Sequence, residues 1–284
     1  MENLIVFLPA LGWGLMPLVA QLTKASPKEQ LTGTTLTALL FALAIYFVEP
    51  TPFVLVTFII SFISGILWAI GQLLQFQSFQ KMSVQKVIPI ICGLQLIGTT
   101  LFAAIVFNEW ATRIDIIVGS MALFSILIGI CLTSYQAKQE NSSPFIPVKY
   151  LMTLFCSAFA LISYVIINQF FGVSGLEVIL PQAIGMVTSA LVINLFTKTT
   201  LRSRKVSLNL LTGLCWSVAN VSLFIANGTV GIAKSFPISQ GSIVIATLGG
   251  ILIFKERKNH REWVAVIGGI MAVMGGVLMI SFVK

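Results

Sequence analysis

The chain has 284 residues, 57% of them hydrophobic and only 9% charged, with a mean hydropathy of +0.99. A soluble domain keeps roughly 25% of its residues charged to face water, so a water-soluble fold is excluded. The net charge of +8 sits in short segments between apolar runs, as in membrane loops, and no nucleic-acid partner is expected.

About 20 residues at 1.5 Å rise cross roughly 30 Å of hydrocarbon. Ten apolar runs approach that length: 4–22, 31–48, 53–76, 84–107 and 114–135, then 150–171, 178–198, 208–227, 232–254 and 263–283. Met1, Glu2 and Asn3 lack the basic start of a secretory signal, so the first run is expected to be a retained span. Turn chemistry separates the runs: Pro27, Glu49-Pro50-Thr51-Pro52, Asn141-Ser142-Ser143-Pro144, and the polar stretch from Lys255 to His260. The fold class expected is an all-α membrane protein of ten transmembrane helices.

The second five runs repeat the first at an offset of 148 residues. Gly65, Trp68, Gln72 and Phe76 match Gly213, Trp216, Asn220 and Phe224; Lys86, Pro89, Ile90 and Gly93 match Lys234, Pro237, Ile238 and Gly241; Gln21 matches Gln169. This divides the chain into a first five-helix repeat at 1–137, a central linker at 138–149 and a second repeat at 150–284. An odd number of helices per repeat inverts the second copy. Fourteen of the 17 Lys and Arg fall in the loops after runs one, three, five, seven and nine. Basic loops stay cytoplasmic, which puts both termini outside.

Inverted repeats let one site near the midplane open to each side in turn, often beside broken or kinked helices. The matched Pro89 and Pro237 are candidate hinges, since each removes a helix hydrogen bond; tolerated kinks are the alternative. Ten amides lie inside the runs: Gln21, Gln72, Gln75, Gln95, Asn168, Gln169, Gln182, Asn194, Asn220 and Gln240. Each needs a partner in hydrocarbon, either another helix or a ligand. Amides donate and accept, which suits a neutral polyhydroxyl solute. Gln72, Gln95, Gln182, Asn220 and Gln240 are the candidate substrate-binding amides, with Trp68 and Trp216 to stack on or shape the cavity. Trp13 lies inside a run as well and is a further candidate to stack on the ligand, with lipid or core packing the alternative for all three, while Trp110 and Trp263 near the loops are read as interfacial anchors. Lys86 and Lys234 begin runs four and nine, to snorkel outward or to line the mouth of the pathway.

None of the nine acids sits in the middle of a run. This disfavours a cationic substrate and leaves passive movement or a coupled mechanism, proton coupling included. Cys92, Cys131, Cys156 and Cys215 show no metal spacing, His260 is the only histidine, and no phosphate-cradling loop is present. No enzyme activity, cofactor or metal is expected.

Gly12-Trp13-Gly14, Leu180-Pro181-Gln182-Ala183-Ile184-Gly185-Met186, and Ser239-Gln240 through Ala246-Thr247-Leu248-Gly249-Gly250 resemble the bacterial glucose/ribose uptake permeases of the drug/metabolite transporter superfamily. The resemblance spans nearly the whole chain. It implies uptake of a monosaccharide, glucose or ribose, across a bacterial cytoplasmic membrane, with the lipid bilayer and a small neutral sugar as partners. It also implies cytoplasmic termini, against the charge count. An exporter of small metabolites or drugs, and a membrane sensor or accessory subunit without transport, are the competing readings.

Overall fold

A computed structural model describes residues 5–81, 84–135, 147–197, 203–255 and 258–283. Twelve α-helices fill most of these residues, and no strand occurs among them. In chain order they are α1 (Leu8–Thr23), α2 (Pro27–Val48), α3 (Leu55–Lys81), α4 (Val84–Val106), α5 (Arg113–Thr133), α6 (Val148–Phe170), α7 (Ile179–Thr197), α8 (Arg204–Leu208), α9 (Leu210–Val230), α10 (Ile232–Ser239), α11 (Ser242–Ile253) and α12 (His260–Ser281). Most of the central linker, 138–146, lies outside the described residues, as do the side chains of Lys86 and Pro89.

Local chemistry sets the helix starts. Ser26 with Glu29, Thr112 with Asp115 and Asn259 with Glu262 form reciprocal capping boxes at the heads of α2, α5 and α12. Each box satisfies backbone N–H groups that have no partner inside the helix. At the other end of α1, Lys24 takes a left-handed φ of 50° and its N–H returns to the Gln21 carbonyl. The ninth run is not one helix. It breaks at Gln240–Gly241, three residues beyond Pro237, where tight turns carry the chain from α10 into α11.

Among the described residues, eight helical segments are long and apolar enough to cross a membrane, rather than the ten expected. The first and fourth runs yield shorter apolar stretches, Leu8–Thr23 and Ile90–Val106. At 1.5 Å per residue, the 16 residues of α1 fall short of the hydrocarbon thickness. The outward faces are apolar: Phe47, Phe124 and Phe196 are 79%, 67% and 86% exposed. Such a surface suits lipid and would aggregate in water.

The most extensive packings all join the two halves of the sequence. α3 packs on α6 and α7, α9 on α1 and α2, α6 on α4, α11 on α1, α2 on α7, and α5 on α12. The halves therefore interleave. Glycines allow close approaches between the halves: a Cβ on Gly65 would collide with the Gln182 carbonyl, and one on Gly213 with the Thr34 carbonyl. Trp110 departs from its expected interfacial role. It is 6% exposed and folds back over Gly119 of α5, where a side chain would have no room. Trp263, 39% exposed, faces outward as an anchor would.

Candidate functional site

A cavity of about 380 Å³ lies between the halves. At its inner end the Trp68 and Trp216 rings meet, and Trp13 packs edge-on to Phe236 at 6.1 Å. α3 presents Trp68, Gln72 and Gln75 at i, i+4 and i+7, so all three share one helical face and line the cavity. α4 adds Gln95 and Cys92, and the break between α10 and α11 places Gln240 on the wall. Pro237 sits inside α10, where it has no N–H to give to the Ala233 carbonyl one turn back, and the helix ends three residues later in tight turns at Gln240 and Gly241. The cavity extends toward Gln30, Gln80, Ser134 and Lys258, beside the loops richest in Lys and Arg by the sequence count.

The ten amides divide into two groups. Gln21, Gln72, Gln75, Gln95 and Gln240 line the cavity. The other five tie helices together. Asn220 donates to the Gln182 Oε1 at 2.6 Å, Gln182 donates to the Ser64 Oγ at 2.8 Å, and Ser64 donates to the Tyr164 carbonyl at 2.7 Å. Asn168 accepts from Ser61 at 2.8 Å, Asn194 donates to Thr32 at 2.8 Å, and Gln169 donates to Glu109 at 2.9 Å. These hydrogen bonds to neighbouring helices stabilise the packing, although the Asn194 and Asn220 Oδ1 atoms find no partner of their own, and removing one member of a pair strands the other.

Of the seven substrate-binding candidates, the structure thus brings Trp68, Gln72, Gln95, Trp216 and Gln240 around the cavity. Gln182 and Asn220 sit behind the Trp216 ring, joined to each other across α7 and α9 and flanking a void of about 10 Å³. Of the hinge candidates, Pro237 lies inside α10 next to the break, while Pro89 lies in a backbone that stays helical from Val84 to Val106. Lys234 does not reach the cavity; its Nζ donates to the Val283 carbonyl at 2.9 Å.

Trp13 also lines the cavity, as do Tyr164 and Phe236, which the sequence does not mark as ligand-binding. Tyr164 and Phe236 lie in apolar stretches where an aromatic reads as core, so sequence carries no signal for them. Gln75 carried one, as an amide one turn from Gln72. Its match by the offset is the buried Leu223, so the polar lining is contributed unequally by the two halves.

At the far end from the cavity mouth, Glu109 in the α4–α5 connection accepts the Ile232 N–H at 3.1 Å and the Ala233 N–H at 2.7 Å. These are the first N–H groups of α10. Gly231, at φ 79°, turns the chain into that helix and leaves room for the carboxylate, which a Cβ would strike.

A helical bundle that is apolar outside and encloses an amide- and indole-lined cavity belongs to the class of multi-pass membrane transport proteins. Sequence comparison defines the group within that class: the chain belongs to the sugar transport protein family, whose profile matches residues 4–283. It is 39% identical over 290 residues to a Bacillus subtilis protein named glucose uptake protein GlcU, covering 100% of this chain and 99% of that one. A Listeria monocytogenes protein with the provisional name of a sugar uptake protein is 46% identical over 281 residues, 99% of each chain. A crystal structure at 15% identity shares the fold, with a TM-score of 0.75 over 99% of this chain and 97% of the other. The resemblance read from Gly12-Trp13-Gly14 and the segments around Pro181 and Gln240 therefore identified the family.

Proposed function

We propose that the chain is a permease for the uptake of a monosaccharide, glucose in the first instance, working by alternating access across the cell membrane. The observation that carries this reading is the cavity itself. Seven amides, Gln30 and Gln80 toward the mouth included, and a tryptophan pair line it, and among the described residues none of its lining side chains is an acid. Amides can donate to and accept from hydroxyl groups without attracting a cation, and indole rings offer flat apolar faces to a pyranose ring. Relatives named for glucose and sugar uptake favour glucose over ribose.

Ten spans in two inverted repeats, the unit needed for alternating access, are part of the same proposal. The packing supports it. The contact of Gly65 with the Gln182 carbonyl recurs as Gly213 with the Thr34 carbonyl, and each residue of the second pair differs from its match by 148. The helix packings interchange in the same way: α3 on α6 and α7 corresponds to α9 on α1 and α2. In this reading Gln72, Gln75, Gln95 and Gln240 bind hydroxyls, Trp68 and Trp216 bound the site, and Pro89 and Pro237 permit rocking. The cavity mouth beside the basic loops makes this an inward-facing arrangement, with the cytoplasm on the Lys258 side.

The test is uptake of labelled glucose and ribose by purified protein in liposomes, with and without a pH gradient. Saturable glucose exchange without a gradient supports the proposal; dependence on the gradient adds proton coupling. Failure to move either sugar, in protein that remains folded, contradicts it.

A further inference from the structure

The repeat matches Gln21 with Gln169, and the structure holds the two in different states. Gln21 is exposed at the cavity mouth. Gln169, at the opposite end, is half-buried and donates to the Glu109 carboxylate, which also accepts two N–H groups from the head of α10. One carboxylate thus ties three elements: the α4–α5 connection, the last turn of α6, and the broken helix whose far end carries Gln240. A side chain bridging both halves on the closed face, beside a helix that breaks at the cavity, is placed to oppose opening there. Its three hydrogen bonds are charge-assisted, the stronger kind.

We propose that Glu109 is a positioning residue for transport: its contacts with Gln169, Ile232 and Ala233 latch the face opposite the cavity mouth, and they release when the site opens to that face. This rests on the alternating-access reading above. Sugar need not touch Glu109. The latch acts through α10, which moves the wall bearing Phe236 and Gln240.

The experiment uses full-length protein in liposomes and reports on each face separately. Cys92 lines the cavity and is retained as the only native cysteine, reporting access from the mouth. In a second, cysteine-free background Ile232→Cys reports access from the α4–α5 face, because Ile232 is 0% exposed directly behind the latch. Impermeant maleimide is added to one face at a time. Glu109→Ala is expected to raise labelling at position 232 at least fivefold and to lower labelling of Cys92 at least twofold. Glu109→Asp should lie closer to the parent. Simple loosening of the fold would not lower Cys92 labelling. If Glu109→Ala does not fold, Gln169→Ala carries the test, with the same two directions. Unchanged or increased Cys92 labelling in a folded variant overturns the latch. The labelling result decides the latch whether or not the parent protein moves glucose, and sugar flux in the parent decides the transport reading.

Discussion

The Trp68 and Trp216 rings lie 4.6 Å apart between centroids, tilted by 52°, although 148 positions separate them in the chain. They are matched residues of the two halves, and they meet where α3 and α9 approach at the inner end of the cavity. Both are almost fully buried, at 1% and 4% exposure, yet both line the cavity. The pair therefore serves as a packing contact and as a wall of the site. Replacing either by alanine is expected to weaken glucose affinity about tenfold, ~1.4 kcal/mol. It should also lower thermal stability, since a buried aromatic lost to alanine costs about 3–5 kcal/mol. Phenylalanine should keep most of the stability and lose part of the affinity. Binding by tryptophan fluorescence, using the remaining indole, and melting in detergent measure the two effects.

The amides facing the cavity should behave differently from those between helices. Gln72→Leu, Gln95→Leu or Gln240→Leu is expected to weaken glucose affinity by about two- to tenfold, the size of one net hydrogen bond of roughly 0.5–1.5 kcal/mol. The melting temperature should move little. A Kd for glucose and a melting curve on the same preparation check this; a large stability loss with unchanged affinity would assign these residues to packing.

Gln182 and Asn220 predict the reverse. Asn220→Leu removes the donor at 2.6 Å from the Gln182 Oε1 and leaves that oxygen buried without it. The expected cost is about 1–3 kcal/mol of stability, with affinity within about twofold of the parent. The double variant Gln182→Leu/Asn220→Leu should cost less than the sum of the single changes, because two stranded partners are removed together. Thermal unfolding of all four proteins tests the coupling.

Gly65→Ala and Gly213→Ala should each destabilise the bundle. In both, the added methyl meets the backbone carbonyl of a neighbouring helix, which cannot rotate away as a side chain can. Helices forced apart in a packed core cost about 1–3 kcal/mol. Similar losses at the two positions would be the energetic signature of a contact made twice. Loss at one position alone would mean that the two halves pack unlike each other there.

The features legible in the sequence were those written in local chemistry or in the offset. The apolar runs and the Trp68/Trp216 and Gly65/Gly213 matches could be read directly. Run length was less informative: α1 ends at Thr23, one residue past its run, but begins only at Leu8, with Pro9 in its first turn. The direction of each amide was not legible either. Gln72 and Asn220 occupy matched positions, yet one faces the cavity and the other turns to Gln182. That choice depends on the helix across the gap, a partner that no local pattern specifies. The same holds for Glu109. Its sequence position marks the end of a span, while its role comes from two N–H groups more than a hundred residues away. Trp110 read as an interfacial aromatic because it sits by a loop, but the small Gly119 lets it fold inward.

The most direct test of the central claim is counterflow of labelled glucose into liposomes preloaded with unlabelled glucose, at equal pH on both sides. A permease with one alternating site predicts transient accumulation of label above equilibrium, abolished by excess unlabelled glucose outside and strongly reduced in Trp68→Ala. Flat label uptake indistinguishable from protein-free liposomes, with folded protein inserted in the bilayer, would contradict it.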